Sequence, residues 1–511
     1  MSNLSHPRGI QPLGNSLVSQ APSVRDASLG NLSKLSDELL LEVLALCPHD
    51  SLLSLSASSK ALYAFATHED LWRALVLEEF EGHFSWASTW MGTYFLTKLG
   101  PRKICSGGNI ARVGNAEARR ASVKRKRPGL QDSSAIIHDT PHHVRPLQVQ
   151  GVYSDLLYQP WLCATIQLSE EWLSTDNIDR RRGMTVSEFV NQYERPNRPV
   201  VITGAISKWP ALKKWSLPYL SKVFQGKTIV AGNYEMPFDT YLKYWDSNHD
   251  EMPLYFFDKT FCIKAPQLQN DFSVPEYFSD DLFSVLGEEG RPDYRWMIMG
   301  PSRSGSSFHV DPNCTSAWNA VITGRKKWIL YPPHVEPPGV HASPDRADVA
   351  TPLSLVEWFM NFYEEAQVGK VKPIECVVSP GELIFVPRGW WHMAINLEPG
   401  IAITQNFVSR TNLPHVLSYL KPGRSDLVSG CALHDRASLH DRFVAALAER
   451  CPEVLKELEA KREARRSKAE RDGNLSRLFK PCQRDEKVKL SHSPNSDTKQ
   501  NQGEFSFGFQ V

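Results

Sequence analysis

The chain has 511 residues, is 41% hydrophobic and balances 58 Lys and Arg against 57 Asp and Glu, so it is too long for one core and too apolar to be wholly unfolded. A formal net charge of +1 argues against binding nucleic acid or membrane by a global field and leaves any basic patch local. Its 9 scattered cysteines contain no C-x-x-C pair, which argues against a disulfide framework or a cysteine zinc site and for a reducing, intracellular setting.

The first residues lack a basic and apolar leader, and the greasiest run, around Leu39 to Cys47, is broken by Glu42 and too short to span a membrane. Residues 1–30 are rich in Ser, Pro, Gly and Asn without apolar periodicity, which predicts a disordered tail. Over residues 31–80 the texture becomes helical. Leu35, Leu39, Leu40, Val43, Leu44 and Leu46 fall at helical spacing, Ser36 is placed to cap, and Asp37 and Glu38 suit the positive helix end. A second helix is predicted from Asp50 to Leu62 and a third around Leu71, Trp72 and Leu75. Three such short helices make a marginal core that needs a partner. Residues 104–149 read as a basic flexible linker, in which Arg119-Arg120 and Lys124-Arg125-Lys126-Arg127 fit a nuclear-import signal, so nucleus or cytoplasm is the expected location.

Beyond residue 160 the chain turns strand-rich. Segments 199–202, 294–299, 327–331, 374–378, 382–386 and 401–404 are short, β-branched or aromatic, and cut by Gly and Pro. The predicted fold is therefore multidomain: a small all-α helical module, then an all-β jelly roll (a double-stranded β-helix) with flanking helices. Its limits are set at 180–423. Helical spacing returns through Phe443, Val444, Leu447, Val454 and Leu458, giving C-terminal helices over 424–472 before a disordered tail over 473–511.

His309 and Asp311 stand two apart, and residues two apart in a strand share a face. His392, just after a strand ending at Val386, offers a third ligand. Two His and one carboxylate on one face of a metal, with open positions opposite, is the arrangement of non-haem Fe(II) oxygenases. The same His-x-acid spacing occurs at His68-Glu69-Asp70, His249-Asp250-Glu251 and His334-Val335-Glu336, in helical, turn-like or Pro-flanked segments, so the pair gains meaning only alongside Asn319, Lys326 and Thr404 further along the chain. A dicarboxylate such as 2-oxoglutarate needs a cation and hydroxyl donors at its far end. Lys326, rather than its neighbours Arg325 and Lys327, and Thr404 are the candidates.

These residues carry a resemblance. Glu188-Phe189-Val190, Tyr193-Glu194-Arg195-Pro196, Pro253-Leu254-Tyr255, Tyr294-Arg295-Trp296, Thr315-Ser316-Ala317-Trp318-Asn319-Ala320 and Gly389-Trp390-Trp391-His392 resemble the JmjC-domain Fe(II)/2-oxoglutarate oxygenases, of cupin-like fold. Within them the likeness is to the bifunctional arginine demethylase and lysyl-hydroxylase branch, once called the phosphatidylserine receptor. The resemblance implies iron at His309, Asp311 and His392, 2-oxoglutarate at Lys326, Thr404, Asn319 and Tyr255, and Trp296 near the substrate mouth. Residues 31–80 resemble an F-box, in Leu35-Ser36-Asp37-Glu38-Leu39-Leu40, Val43-Leu44, Pro48, Leu52-Leu53 and Leu71-Trp72-Arg73, with Ser36 where Pro is usual. That implies docking to a Skp1-type adaptor of a ubiquitin ligase.

The function expected from all this is hydroxylation or oxidative demethylation of lysine or arginine in a protein substrate, a histone or RNA-associated protein being the candidate. The lean is toward C-hydroxylation of lysine. The alternative is a non-catalytic F-box adaptor whose jelly roll only binds its client.

Overall fold

The computed structural model describes residues 5–100, 146–346 and 348–478. The basic clusters at 119–120 and 124–127, most of the expected linker, and the chain beyond 478 lie outside them. The strands, in chain order, are β1 (Arg180–Arg182), β2 (Val200–Thr203), β3 (Thr228–Ala231), β4 (Tyr234–Pro237), β5 (Phe256–Asp258), β6 (Arg295–Gly300), β7 (Gly305–His309), β8 (Ser316–Thr323), β9 (Lys326–Tyr331), β10 (His341–Ala342), β11 (Val349–Ala350), β12 (Ile374–Val378), β13 (Glu382–Val386), β14 (Trp391–Asn396) and β15 (Gly400–Phe407). The chain divides into two units, Met1–Gln167 with Gln225–Pro253, and Leu168–Phe224 with Leu254–Val511. Among the described residues no helix is long and apolar enough to cross a membrane.

In the first unit the helix Asp37–Ala45 starts where the sequence places it, with the Ser36 side chain accepting from the Leu39 amide. The predicted second helix is two. His49–Ser56 ends before Ser59, whose side chain accepts from the Leu62 amide and starts Lys60–Ala66 afresh. A Ser placed to satisfy an orphan N–H outweighs the apolar spacing that runs through it. Leu40, Leu44, Leu52, Phe65, Trp72 and Leu77 form the core, and the Trp72 indole donates to the Ala66 carbonyl at 2.9 Å.

The N-terminal segment and the domain limits depart from expectation. Residues 5–30 are not a tail: Ile10 and Leu29 are buried, Gln11 bridges to Tyr153, and the Arg25 guanidinium binds Asp37 and the Leu35 carbonyl. The linker likewise stops short of 149, since Val149 is buried and its amide donates to the Arg8 carbonyl at 2.8 Å. A few apolar anchors and one charged clamp order a segment whose average composition is polar. Nor does the span 180–423 form one unit. Segment 225–253, holding the β3–β4 hairpin and the helix Phe238–Ser247, belongs to the first unit: the Trp90 indole donates to Asp250 at 2.8 Å, Trp86 meets Tyr244 edge-on at 4.9 Å, and Arg73 lies 3.9 Å from Asp250.

The second unit is the predicted jelly roll. One sheet runs β1-β2-β13-β8-β15-β6-β5 and the other β12-β9-β14-β7. Val201, Val321 and Ile384 of the first sheet and Trp328, Leu330, Cys376 and Ala394 of the second share one apolar cluster. Beyond β15, the helices Leu413–Tyr419, Leu439–Arg450 and Pro452–Leu478 follow, and Phe283 packs on Phe443 at 4.7 Å. The last helix runs six residues past the expected limit of 472.

Candidate active site

His309 is the last residue of β7, and the register sets it directly opposite His392 on β14, the ring centroids 4.1 Å apart. Asp311 follows β7 in extended backbone (φ −60°, ψ 142°), so the two-residue alternation carries its carboxyl to the same side. One ligand atom from each of the three lies within 4.8 Å of the others.

The surroundings of each group suit a cation. His309 Nδ1 is 2.7 Å from the Ser307 carbonyl and His392 Nδ1 is 3.0 Å from the Trp390 carbonyl. A carbonyl only accepts, so each ring carries its proton on Nδ1 and turns Nε2 inward as a lone-pair donor. Burial, with His392 adding to it for His309, lowers both imidazoles to about 4, so both are neutral at physiological pH. Asp311 Oδ2 is buried without a hydrogen-bond partner among the described residues, and burial raises that carboxyl to about 6. An orphaned carboxylate oxygen beside two neutral imidazole nitrogens is what a divalent metal relieves.

The pocket around them lies between the two sheets. Lys326 and Trp328 come from β9, Asn319 from β8, Thr404 and Asn406 from β15, Trp296 and Ile298 from β6, Phe257 from β5 and Tyr255 from just before it. Thr404 sits in register between Asn319 and Trp296. Every residue expected at the site is therefore gathered there. Lys326 is buried, donates to the Tyr255 hydroxyl at 2.5 Å, and is lowered by burial to about 7. Thr404 Oγ1 donates to the Trp318 carbonyl at 3.1 Å, and the Asn319 Oδ1 is buried with no partner among the described residues.

The neighbours of Lys326 differ from each other. Arg325 is exposed and pairs with Glu398, whereas Lys327 points away from the pocket into a buried ion pair with Glu375 at 2.7 Å. The other His-acid motifs form no such cluster: His68 lies 3.6 Å from Asp70, and Asp250 is taken by Arg73, Tyr244 and Trp90. Phe257, Ile298, Trp328, Ala394 and Asn406 were missed by sequence, although each stands two residues after a predicted site residue on the same strand or segment.

The profile of the "Cupin-like domain" family matches residues 186–412, and that of the F-box domain matches residues 32–74. The chain is 46% identical over 470 residues to "Arginine-specific demethylase JMJ22" of Arabidopsis thaliana, covering 91% of this chain and 86% of that protein. It belongs to the JmjC family of cupin fold. These are iron- and 2-oxoglutarate-dependent oxygenases, and the protein is one of them. It is also 35% identical over 411 residues to "Lysine-specific demethylase JMJ21" of Arabidopsis thaliana, covering 78% of this chain but 39% of that one. To "Bifunctional arginine demethylase and lysyl-hydroxylase psr-1" of Caenorhabditis elegans it is 37% identical over 298 residues, covering 55% of this chain and 70% of that one.

A metal held by this cluster must compete with the proton on Asp311. With that carboxyl near 6 and both imidazoles near 4, Fe(II) affinity measured anaerobically is expected to be level above pH 7 and to fall up to about tenfold per unit below pH 6. Affinity that stays level down to pH 5 contradicts the carboxylate as a ligand.

Proposed function

We propose that the protein demethylates N-methylarginine side chains of a protein substrate, with iron held by His309, Asp311 and His392, and the far carboxylate of 2-oxoglutarate held by Lys326, Tyr255, Thr404 and Asn319. The observation that carries the reading is the charge inventory of the pocket. Among its lining residues Asp311 is the one acid, beside two neutral imidazoles, and Lys326 is the one Lys or Arg, buried with no carboxylate partner among the described residues. A dicarboxylate that meets the metal at one end and Lys326 at the other satisfies both.

When bound, iron and 2-oxoglutarate supply oxygen activation, in which 2-oxoglutarate loses carbon dioxide and one oxygen atom enters a substrate C–H bond. The chain's own residues do the rest. His309 and His392 are oriented by their carbonyl partners, Asp311 contributes the compensating charge, and the aromatic lining excludes water. Hydroxylation of an N-methyl carbon gives an unstable product that releases formaldehyde, whereas hydroxylation of a methylene is retained. One observation favours the first outcome: the extensive identity is to an arginine-specific demethylase.

Full-length protein with Fe(II), 2-oxoglutarate and oxygen is expected to strip one methylene mass from N-methylarginine peptides, with formaldehyde matching succinate. Lys326→Ala is expected to raise the 2-oxoglutarate requirement about tenfold or more, from the loss of a charge-assisted pair of roughly 1.5–3 kcal/mol, while Arg325→Ala leaves it unchanged. Oxygen retained on unmodified lysine without formaldehyde makes the protein a lysyl-hydroxylase instead. No 2-oxoglutarate turnover with any peptide restores the adaptor reading.

The F-box match supports a second role beside the chemistry, docking a Skp1-type adaptor. On the helix Asp37–Ala45 and its C-cap, Leu39 (49% exposed), Val43 (46%) and Leu46 (87%) form an apolar stripe at i, i+4 and i+7. Replacing all three by Glu is expected to abolish capture of a purified Skp1-type adaptor while peptide turnover persists. Unchanged capture removes the docking role.

A further inference from the structure

We infer that Asn313 is a positioning residue for the metal: a two-way clamp between its side-chain amide and the backbone of Ser429 sets the turn that aims the Asp311 carboxyl. A strap beyond the last strand, residues 428–430, is thereby part of the iron end of the site. The inference rests on the assignment of Asp311 as an iron ligand.

The three ligands are not held alike. His309 and His392 lie on β7 and β14 and face each other across a paired ladder. Asp311 stands outside the strands on either side of it. β7 ends at His309 in one sheet, β8 begins at Ser316 in the other, and residues 310–315 make the crossing. Strand pairing therefore fixes two of the ligands, and the third depends on whatever holds the crossing. Pro312 keeps Asp311 extended, and the chain then turns through two consecutive left-handed residues, Asn313 at φ 55° and Cys314 at φ 57°. Such a pair costs non-glycine residues stability and persists only where the surroundings impose it.

The strap supplies that constraint. Asn313 is buried, its Nδ2 donates to the Ser429 carbonyl at 2.9 Å, and its Oδ1 accepts from the Ser429 amide at 3.1 Å. A carbonyl only accepts and a backbone N–H only donates, so the two contacts together leave one orientation for the amide. The strap is anchored in turn on its far side. The Gly430 carbonyl accepts from the Asp293 amide at 2.7 Å, and Val428 is buried in the apolar cluster of Phe283, Leu413 and Phe443. Gly430 adopts φ +77°, and a Cβ there would lie 3.1 Å from the Asp293 nitrogen, so glycine is what lets the strap lie this close. The other side of the turn is closed from within the jelly roll. Thr315 Oγ1 donates to the Pro312 carbonyl at 2.8 Å and so accepts from Asn406 Nδ2, also at 2.8 Å.

Asn313→Gly tests the clamp, because glycine adopts the left-handed turn freely but has no amide to hold Ser429. In the full chain, Fe(II) affinity measured by anaerobic titration calorimetry is expected to fall about tenfold, while 2-oxoglutarate affinity at saturating Fe(II) stays within twofold. Adding Asn313→Gly to Asp311→Ala is expected to weaken Fe(II) less than twofold further, no carboxyl being left to place. An Fe(II) dissociation constant within twofold of wild type in Asn313→Gly overturns the inference. So does an equal loss of 2-oxoglutarate affinity, which marks a general loosening, and so do single effects that multiply in the double variant. Should Asn313→Gly fail to fold, Gly430→Ala displaces the strap from its far side and is expected to weaken Fe(II) at least threefold, with no change contradicting the clamp. Asp311→Ala alone separates the two levels. If it weakens Fe(II) and Asn313→Gly does not, this inference alone falls, whereas if Asp311→Ala is also silent, the ligand assignment is what failed.

Discussion

The two-residue period of the β-strand is the constraint on which this site depends. His309 with Asp311, His392 with Ala394, Lys326 with Trp328, Ala317 with Asn319, Thr404 with Asn406, Trp296 with Ile298, and Tyr255 with Phe257 all line one pocket. Each pair stands two apart because strand side chains alternate between faces. A one-residue slip in any of these strands would turn its pair out of the pocket, so the registers that set His309 against His392 and Thr404 between Asn319 and Trp296 are as much part of the site as the residues themselves.

The same alternation sorts the charges. Lys326 and Lys327 are neighbours in β9 and both are buried, yet one faces the pocket and the other the Glu375 carboxylate on β12. Lys327 is a structural ion whose partner is built in. Lys326 has a phenol hydroxyl as its partner and pays for burial with a lowered pKa, which an incoming carboxylate would reverse. Asp311 and the two histidines stand in the opposite condition, with one ligand atom of each within 4.8 Å of the others and Asp311 Oδ2 without a hydrogen-bond partner among the described residues.

Much of this was legible in the sequence because period-two patterns and paired ligands are local. Strands 374–378 and 382–386 were placed to the residue, and the triad, Lys326 and Thr404 could be chosen by chemistry and spacing. The misses are non-local. The burial of Ile10 and Leu29 is decided by partners far along the chain, so residues 5–30 looked like a tail. The break between the helices at His49–Ser56 and Lys60–Ala66 was hidden by an apolar pattern that continues through it, although Ser59 was a readable cap. The passengers of the pocket wall, such as Trp328 and Asn406, needed only the alternation applied once more from the residues already chosen.

The most direct test of the central claim is the coordination of iron in the full-length protein, read by X-ray absorption at the iron edge with and without 2-oxoglutarate. The account predicts two imidazole ligands with the remaining scatterers oxygen, one imidazole being lost in His392→Ala and neither in Asp311→Ala. Fewer than two imidazoles in the wild type, a sulfur ligand, or an unchanged imidazole count in His392→Ala would contradict it.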